Sequence, residues 1–186
     1  MDFHHFELRT TDVAAARKFY EAVLVSPLES LITELPAVAR ARGAPAHWLG
    51  HLHVDDLERT VAAFLEAGAE RLGPARTTDD GAPVIGLRDP FGAAVALTSR
   101  PVRATVRARP MHLSHDPERA RRLYALDATF LPITDATIHA QWVFPIVVTN
   151  FEQTIDRIRR LGGDVLISPA GAYAHDPQGA AFAVTG

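Results

Sequence analysis

The most constraining feature of this sequence is an internal duplication. The segment 12–20 recurs at 116–124, with Asp, Ala, Arg and Tyr at matching positions. A second motif, Asp-Pro-x-Gly followed by small and apolar residues, occurs at 89–96 and again at 176–183. Solenoid repeats are only about 20–50 residues long, so a repeat on this larger scale indicates a duplicated domain.

Short strands and helices alternate along both copies. Each half twice begins a pattern of strand, capped helix and short strands, so the predicted order is β-α-β-β-β, repeated four times and incomplete in places. Such a mixture indicates the α+β class, with helices on one face of curved mixed sheets. We expect two domains, 1–99 and a more degenerate 100–186. The basic segment 100–109 is either their linker or a strand leading into the second domain.

Composition excludes several classes of protein. The chain has 186 residues, of which 47% are hydrophobic and 22% charged, as is usual for soluble globular proteins. A net charge of −3 offers no basic surface for nucleic acid, and the apolar runs are too short to span a membrane. The N-terminus lacks the pattern of a signal peptide, and there is no cysteine. The default expectation is therefore a cytoplasmic protein without disulfides.

Two predicted strands carry the side chains best suited to chemistry. Alternate residues of a strand share one face, and paired strands lie about 4.8 Å apart. We therefore expect the reactive faces of these two strands to form one pocket. Its residues are His5, Glu7 and Arg9 on the first strand and Leu49, His51 and His53 on the second.

This pocket is compatible with three kinds of chemistry. His5, Glu7, His51 and His53 could together hold a divalent metal. An imidazole and a carboxylate could instead form an acid/base pair, because histidine titrates near neutrality. The third option is recognition alone, with Arg9 and the histidines binding an anionic or polar ligand. Glu7 needs a partner such as Arg9 or His51, because burying an unpaired ion costs on the order of several kcal/mol.

The aromatic residues are assigned mainly to the core. Trp48 and Trp142 occupy equivalent places in the two halves, where each is expected to anchor a core. The alternative for Trp48, together with Leu49, is a wall against a flat ligand. Tyr20 and Tyr124 are expected to be core residues, and the Asp-Pro-x-Gly turns to be hairpin turns without a catalytic part.

The remaining histidines carry no predicted role. His4 and His47 are expected to be surface or structural residues. His112, His115 and His139 do not match the pattern of the first half. The second half is therefore expected mainly to support the first.

The order of the motifs resembles the vicinal oxygen chelate superfamily, which includes glyoxalase I, extradiol dioxygenases and bleomycin resistance proteins. The resemblance rests on 5–12 with Phe19-Tyr20, on Val-Asp-Asp-Leu at 54–57, and on the Asp-Pro-Phe-Gly turn at 89–92. Trp-Leu-Gly-His at 48–51 is most similar to a bacterial tandem-domain branch of that superfamily. The resemblance implies paired β-α-β-β-β modules that form a cup around a metal.

The metal ligands that the resemblance implies are incomplete. His5 occupies one ligand position, but the equivalent of the next module falls at Leu49, and the usual Glu falls at Ala96. In the second half the corresponding positions fall near Arg109 and Ala183. The loops after each first helix are short for the superfamily, so the first module of each half is predicted to be shortened. No cofactor is therefore expected, and a divalent metal is the alternative.

The sequence predicts a protein that binds a small organic metabolite in a sheet-lined cup. As an enzyme it would be a metal-independent lyase, isomerase or cyclase, with His5 or His51 as the acid/base, Glu7 as its partner and Arg9 stabilising a developing oxyanion. One alternative is a non-catalytic resistance-type protein that sequesters a drug or metabolite. The other is a metal-dependent enzyme with a rearranged His/Glu site. The expected partner is a small-molecule ligand, without nucleic acid or membrane, and the expected assembly is a monomer or homodimer.

Overall fold

The computed structural model describes residues 1–24, 31–78, 81–100, 109–136, 138–168 and 171–186. The helices are α1 (Val13–Val23), α2 (Ala37–Ala41), α3 (Leu57–Glu66), α4 (Pro117–Tyr124) and α5 (Phe151–Arg160). The strands are β1 (Asp2–Thr10), β2 (Ile32–Glu34), β3 (His47–His53), β4 (Glu70–Arg71), β5 (Arg76–Thr77), β6 (Pro83–Arg88), β7 (Ala94–Thr98), β8 (Met111–Ser114), β9 (Thr129–Pro132), β10 (Gln141–Val143), β11 (Pro145–Val147), β12 (Asp164–Ser168), β13 (Gly171–His175) and β14 (Ala181–Thr185). The predicted α+β class is confirmed.

The longer helices begin where the sequence places their caps. In each, a side-chain oxygen of the cap residue accepts a hydrogen bond from the backbone N–H three residues later, which satisfies a donor that the helix itself cannot. Such a cap is worth about 1 kcal/mol. No helix among the described residues is both long and apolar enough to cross a membrane. The caps are Asp12 on α1, Asp56 on α3, Asp116 on α4 and Asn150 on α5.

The chain divides into two compact units that combine segments distant in sequence. The first unit consists of 1–6 and 49–142, and the second of 7–48 and 143–186. The boundary falls inside β1 and β3, and both remain continuous strands. The domain boundary predicted near residue 99 was inferred from the sequence repeat, and it stays a prediction. Most of the predicted linker, 101–108, lies outside the described residues.

In the first unit β3 is the centre of the larger sheet. The start of β1 lies beside β3, and the order continues through β7 and β6 to β4, with β5 also on β6. β3 and β7 are parallel, with His51 opposite Ala96. A smaller sheet has the order β10-β8-β9. Phe64 of α3 and Tyr124 of α4 pack with ring centroids 5.2 Å apart and are buried in the core.

In the second unit the end of β1 pairs with β2, and a four-stranded sheet runs β11-β14-β13-β12. Helices α1 and α5 contact each other, and the Arg157 guanidinium donates to the Ala22 carbonyl at 2.9 Å. Phe19 and Tyr20 of α1 pack edge-on against Phe182 of β14. The core of this unit is therefore aromatic.

The element order confirms the shortened first modules. Among the described residues, β1-α1-β2 and β8-α4-β9 have one strand between the main helix and the start of the next module, whereas α3 and α5 are each followed by three or more. The segment 141–147 is divided into the two strands β10 and β11 at Phe144. The interruption has a local cause, because Pro145 has no backbone N–H to continue a ladder.

A buried chain of hydrogen bonds joins three elements of the second unit. Trp48 Nε1 donates to the Tyr20 hydroxyl at 3.2 Å, and that hydroxyl donates to Asp176 Oδ2 at 3.1 Å. Asp176 Oδ1 also accepts from the backbone N–H groups of Gln178 and Ala180, at 2.9 Å each. The aspartate of the turn therefore fixes its own turn and the helix α1 at once.

The first unit contains the same arrangement with one addition. Trp142 Nε1 donates to the Tyr124 hydroxyl at 3.3 Å, which donates to Asp89 Oδ2 at 2.8 Å. His112, fully buried, places Nε2 2.9 Å from the same Asp89 oxygen. This explains His112 as a core residue, in agreement with its absence from the predicted pocket.

We expect Tyr20→Phe to destabilise the protein. The substitution removes the hydroxyl that links Trp48 to Asp176, at an expected cost of about 1–3 kcal/mol in the free energy of unfolding. Urea denaturation measures this loss. The control is Tyr173→Phe on β13, where the ring is only half-buried, and a smaller loss is expected. Equal losses in the two variants would contradict a special role for the Tyr20 hydroxyl.

The stability of the protein is also expected to depend on pH through Asp176. Burial raises the pKa of the Asp176 carboxyl above 3.8, although hydrogen bonds from Ala180 and Gln178 oppose the shift. The folded chain thus holds a proton that the unfolded chain has released, so the free energy of unfolding falls as pH rises from 3.8 to the raised pKa. Urea denaturation across this range should show the fall in the wild type and lose it in Asp176→Asn. An unchanged pH dependence in the variant would refute this assignment.

Candidate functional site

Strands β1 and β3 bring two imidazoles and a carboxylate together. The His5 and His51 rings stack with centroids 4.1 Å apart and planes 19° apart. Glu7 follows His5 by two residues on the same continuous strand. One ligand atom from each of these three side chains lies within 4.8 Å of the others. The three residues that the sequence placed in one pocket therefore form a compact cluster, which we call the His-Glu-His cluster.

Strand alternation is what directs these side chains to one face. Leu8 and Thr10 of β1 are fully buried on the opposite face. Two members of the His-Glu-His cluster are largely shielded from water, since His51 is 7% and Glu7 9% exposed, whereas His5 is half-buried. On its other side β3 pairs with β7, where Ala96 stands opposite His51 and offers no donor atom.

Glu7 has a charged partner, as predicted. Arg9 Nε donates to Glu7 Oε1 at 2.8 Å, and Nη2 donates to the same oxygen. The two side chains are 19% and 12% exposed, so water screens this ion pair little. Because both bonds go to Oε1, Oε2 is the oxygen that Arg9 leaves to other partners.

His47 stands beside this ion pair and has a fixed tautomer. Its Nδ1 is 2.9 Å from the Pro45 carbonyl, which can only accept, so Nδ1 carries the proton and Nε2 a lone pair. Burial lowers the pKa of His47; the Pro45 hydrogen bond raises it, the Arg9 charge lowers it and Glu7 raises it. His47 is therefore neutral at pH 7. His47 had no predicted role, although its spacing of four from His51 places it on the same face of β3.

The structure does not bring His53 into the His-Glu-His cluster. His53 Nδ1 bonds the Arg100 carbonyl at 2.9 Å, and Nε2 lies 3.4 Å from an Asp55 carboxylate oxygen. Its two ring nitrogens are therefore engaged beyond the end of β3. Two further residues of a strand move a side chain about 6.6 Å, which separates His53 from the position of His51.

Trp48 lies in the core, the role expected for it, and not in the alternative ligand wall. It alternates with Leu49 along β3, so the two side chains point to opposite faces and cannot line the same ligand. Trp48 is buried and bonded to Tyr20, which gives it the structural role. Leu49 is half-buried on the face of His51 and keeps its place as a candidate lining residue.

The donor set of the His-Glu-His cluster fits a divalent metal. Two imidazole nitrogens and one carboxylate oxygen are ligands that Zn²⁺, Fe²⁺ and related ions accept. Three protein ligands leave the remaining positions of such an ion to water or substrate. The same groups also fit proton transfer, because imidazole accepts and returns protons near neutrality.

Comparison with known proteins shows the fold of the chain. No protein-family model and no curated protein matches the sequence. The 2,3-dioxygenase LapB from Pseudomonas sp. KL28 aligns at 12% identity over 98% of this chain and 91% of its own, with a TM-score of 0.58. The Mn(II)-bound glyoxalase from Novosphingobium aromaticivorans aligns at 12% identity over 98% of this chain and 81% of its own, with a TM-score of 0.58.

A further solved structure agrees with these two. Homoprotocatechuate 2,3-dioxygenase from Brevibacterium fuscum aligns at 13% identity over 99% of this chain and 79% of its own, with a TM-score of 0.60. At such identities the likeness shows the fold alone. It confirms the fold that the sequence resemblance implied.

The tautomer of His47 is directly testable. Long-range ¹H–¹⁵N spectra of the histidine side chains at about pH 7 should show His47 neutral, with the proton on Nδ1. His47→Gln identifies its signals. A His47 ring that is protonated on Nε2, or on both nitrogens, would contradict the bond to the Pro45 carbonyl.

Proposed function

We propose that this chain, which has the fold of the vicinal oxygen chelate superfamily, is an enzyme that acts on a small organic molecule at a divalent metal held by His5, Glu7 and His51. The observation that carries the proposal is the convergence of three ligand atoms within 4.8 Å. Similar solved structures support it, since one is a Mn(II)-bound glyoxalase and others are 2,3-dioxygenases.

A metal in this position would act as a Lewis acid on a substrate oxygen. The side chains supply the remaining functions. β1 and β3 hold the imidazoles of His5 and His51, and Arg9 fixes the Glu7 carboxylate through Oε1. The Nε2 lone pair of His47 is suited to accept a hydrogen bond from a substrate hydroxyl on the same face.

The second candidate is metal-free acid/base chemistry of the lyase or isomerase type. The stacking of the His5 and His51 rings favours it. The two ring planes are only 19° apart, so the two imidazoles lie face to face. A neutral imidazole in this stack could take a proton from substrate and return it. The third candidate function is sequestration, in which the protein binds its ligand without transforming it.

We expect metal-free protein, purified without a histidine tag, to bind about one Mn²⁺ or Zn²⁺ per chain in calorimetric titration. Glu7→Gln and His51→Ala should each weaken this binding by at least about 10–100-fold, the loss that even an outer-sphere change causes. His53→Ala is the matched control, because one ring nitrogen of His53 is bonded to the Arg100 carbonyl and the other lies 3.4 Å from Asp55. Its metal affinity should remain that of the wild type.

The outcomes separate the three candidate functions. A wild-type chain that binds no divalent ion would contradict the metal centre and leave the acid/base candidate. In that case His51→Ala should abolish turnover of any substrate found by screening. If the same substitution only weakens affinity, without any turnover to lose, the protein is a sequestering binder.

A further inference from the structure

Arg9 and Glu7 form a partly buried ion pair at the proposed metal centre. The Nε–Oε1 bond is 2.8 Å, and the side chains are 19% and 12% exposed. The chain also contains an exposed pair of the same residue types for comparison. Arg40 donates to Glu34 at 2.8 Å, with exposures of 46% and 59%. Water screens the second pair far more than the first.

The Arg9 charge cancels the Glu7 charge before any ligand binds. The neighbouring groups do not restore a negative charge. His47 is neutral for the reasons given above, and Glu34, at the adjacent end of β2, is exposed, so water screens its charge whether or not Arg40 is paired with it. Histidines that bind a metal do so as neutral rings. A divalent ion in this centre would therefore keep almost its full charge.

We infer that the centre selects a small organic acid that binds through a charged oxygen, and that Arg9 sets this preference. The inference rests on the proposed metal centre. Glu7 alone would leave one positive charge on a divalent site, whereas the Arg9–Glu7 pair leaves two. In a site shielded from water an anionic ligand offsets that charge, and a neutral ligand of the same shape does not.

The test uses two probes that differ in charge and share a skeleton, lactate and lactamide. Their binding to Mn²⁺-loaded protein is followed through the relaxation rate of water protons, which falls as a ligand displaces water from the ion. We expect the wild type to prefer lactate, and Arg9→Gln to reduce the lactate-to-lactamide affinity ratio by about tenfold. Arg9→Lys, which keeps the charge, should retain most of the ratio.

Arg40→Gln is the matched control, since it breaks an arginine–glutamate pair that is exposed. It should leave the ratio unchanged, and circular dichroism checks that each variant is folded. A ratio that survives in Arg9→Gln, or falls as much in Arg40→Gln, would overturn this inference while the metal centre stands. A wild type that binds no Mn²⁺ would overturn both.

Discussion

A buried aspartate at the start of a turn is the constraint on which this structure depends. Asp176 joins its own turn to Tyr20 of α1, and Tyr20 in turn holds Trp48. Trp48 is thereby fixed on the helix-covered face of β3. Since side chains alternate, this anchor directs His51 to the opposite face. A slip of one residue in β3 would exchange the two faces and bury His51 against the helices. The core bond therefore determines the orientation of the candidate site.

The same tryptophan–tyrosine–aspartate hydrogen bonds occur in both units, but one unit adds a histidine to them. Both contain a tryptophan, a tyrosine and a turn aspartate in one hydrogen-bonded chain. In the first unit His112 adds a further contact to Asp89, whereas the equivalent position of the repeat is the buried Leu8. The second half of the sequence thus places a histidine in the core. The first half places His5 on the open face of its strand.

Local sequence signals predicted much of this structure. The features that depend on contacts between distant residues could not be predicted from the sequence. Caps such as Asp12 located the helices, and the period of two along β1 and β3 predicted that His5 and His51 would meet. The Tyr20–Asp176 bond spans 156 residues, and no local pattern encodes it. The role of His47 depends on a turn carbonyl that sequence spacing does not reveal. Trp48 was expected to anchor the core, with a ligand wall as the alternative, and alternation along β3 places it opposite His51.

The ion pair with Arg9 limits the chemical roles that the Glu7 carboxylate can take. A carboxylate bound to a guanidinium is a poor proton acceptor, because protonation would break a buried ion pair. It remains a good ligand or orienting group, since Arg9 occupies only Oε1. Without a metal, proton transfer at this site therefore falls to the imidazoles of His5 and His51. His51, buried and in contact with His5, is the residue on which the metal-centred and the acid/base mechanisms both depend.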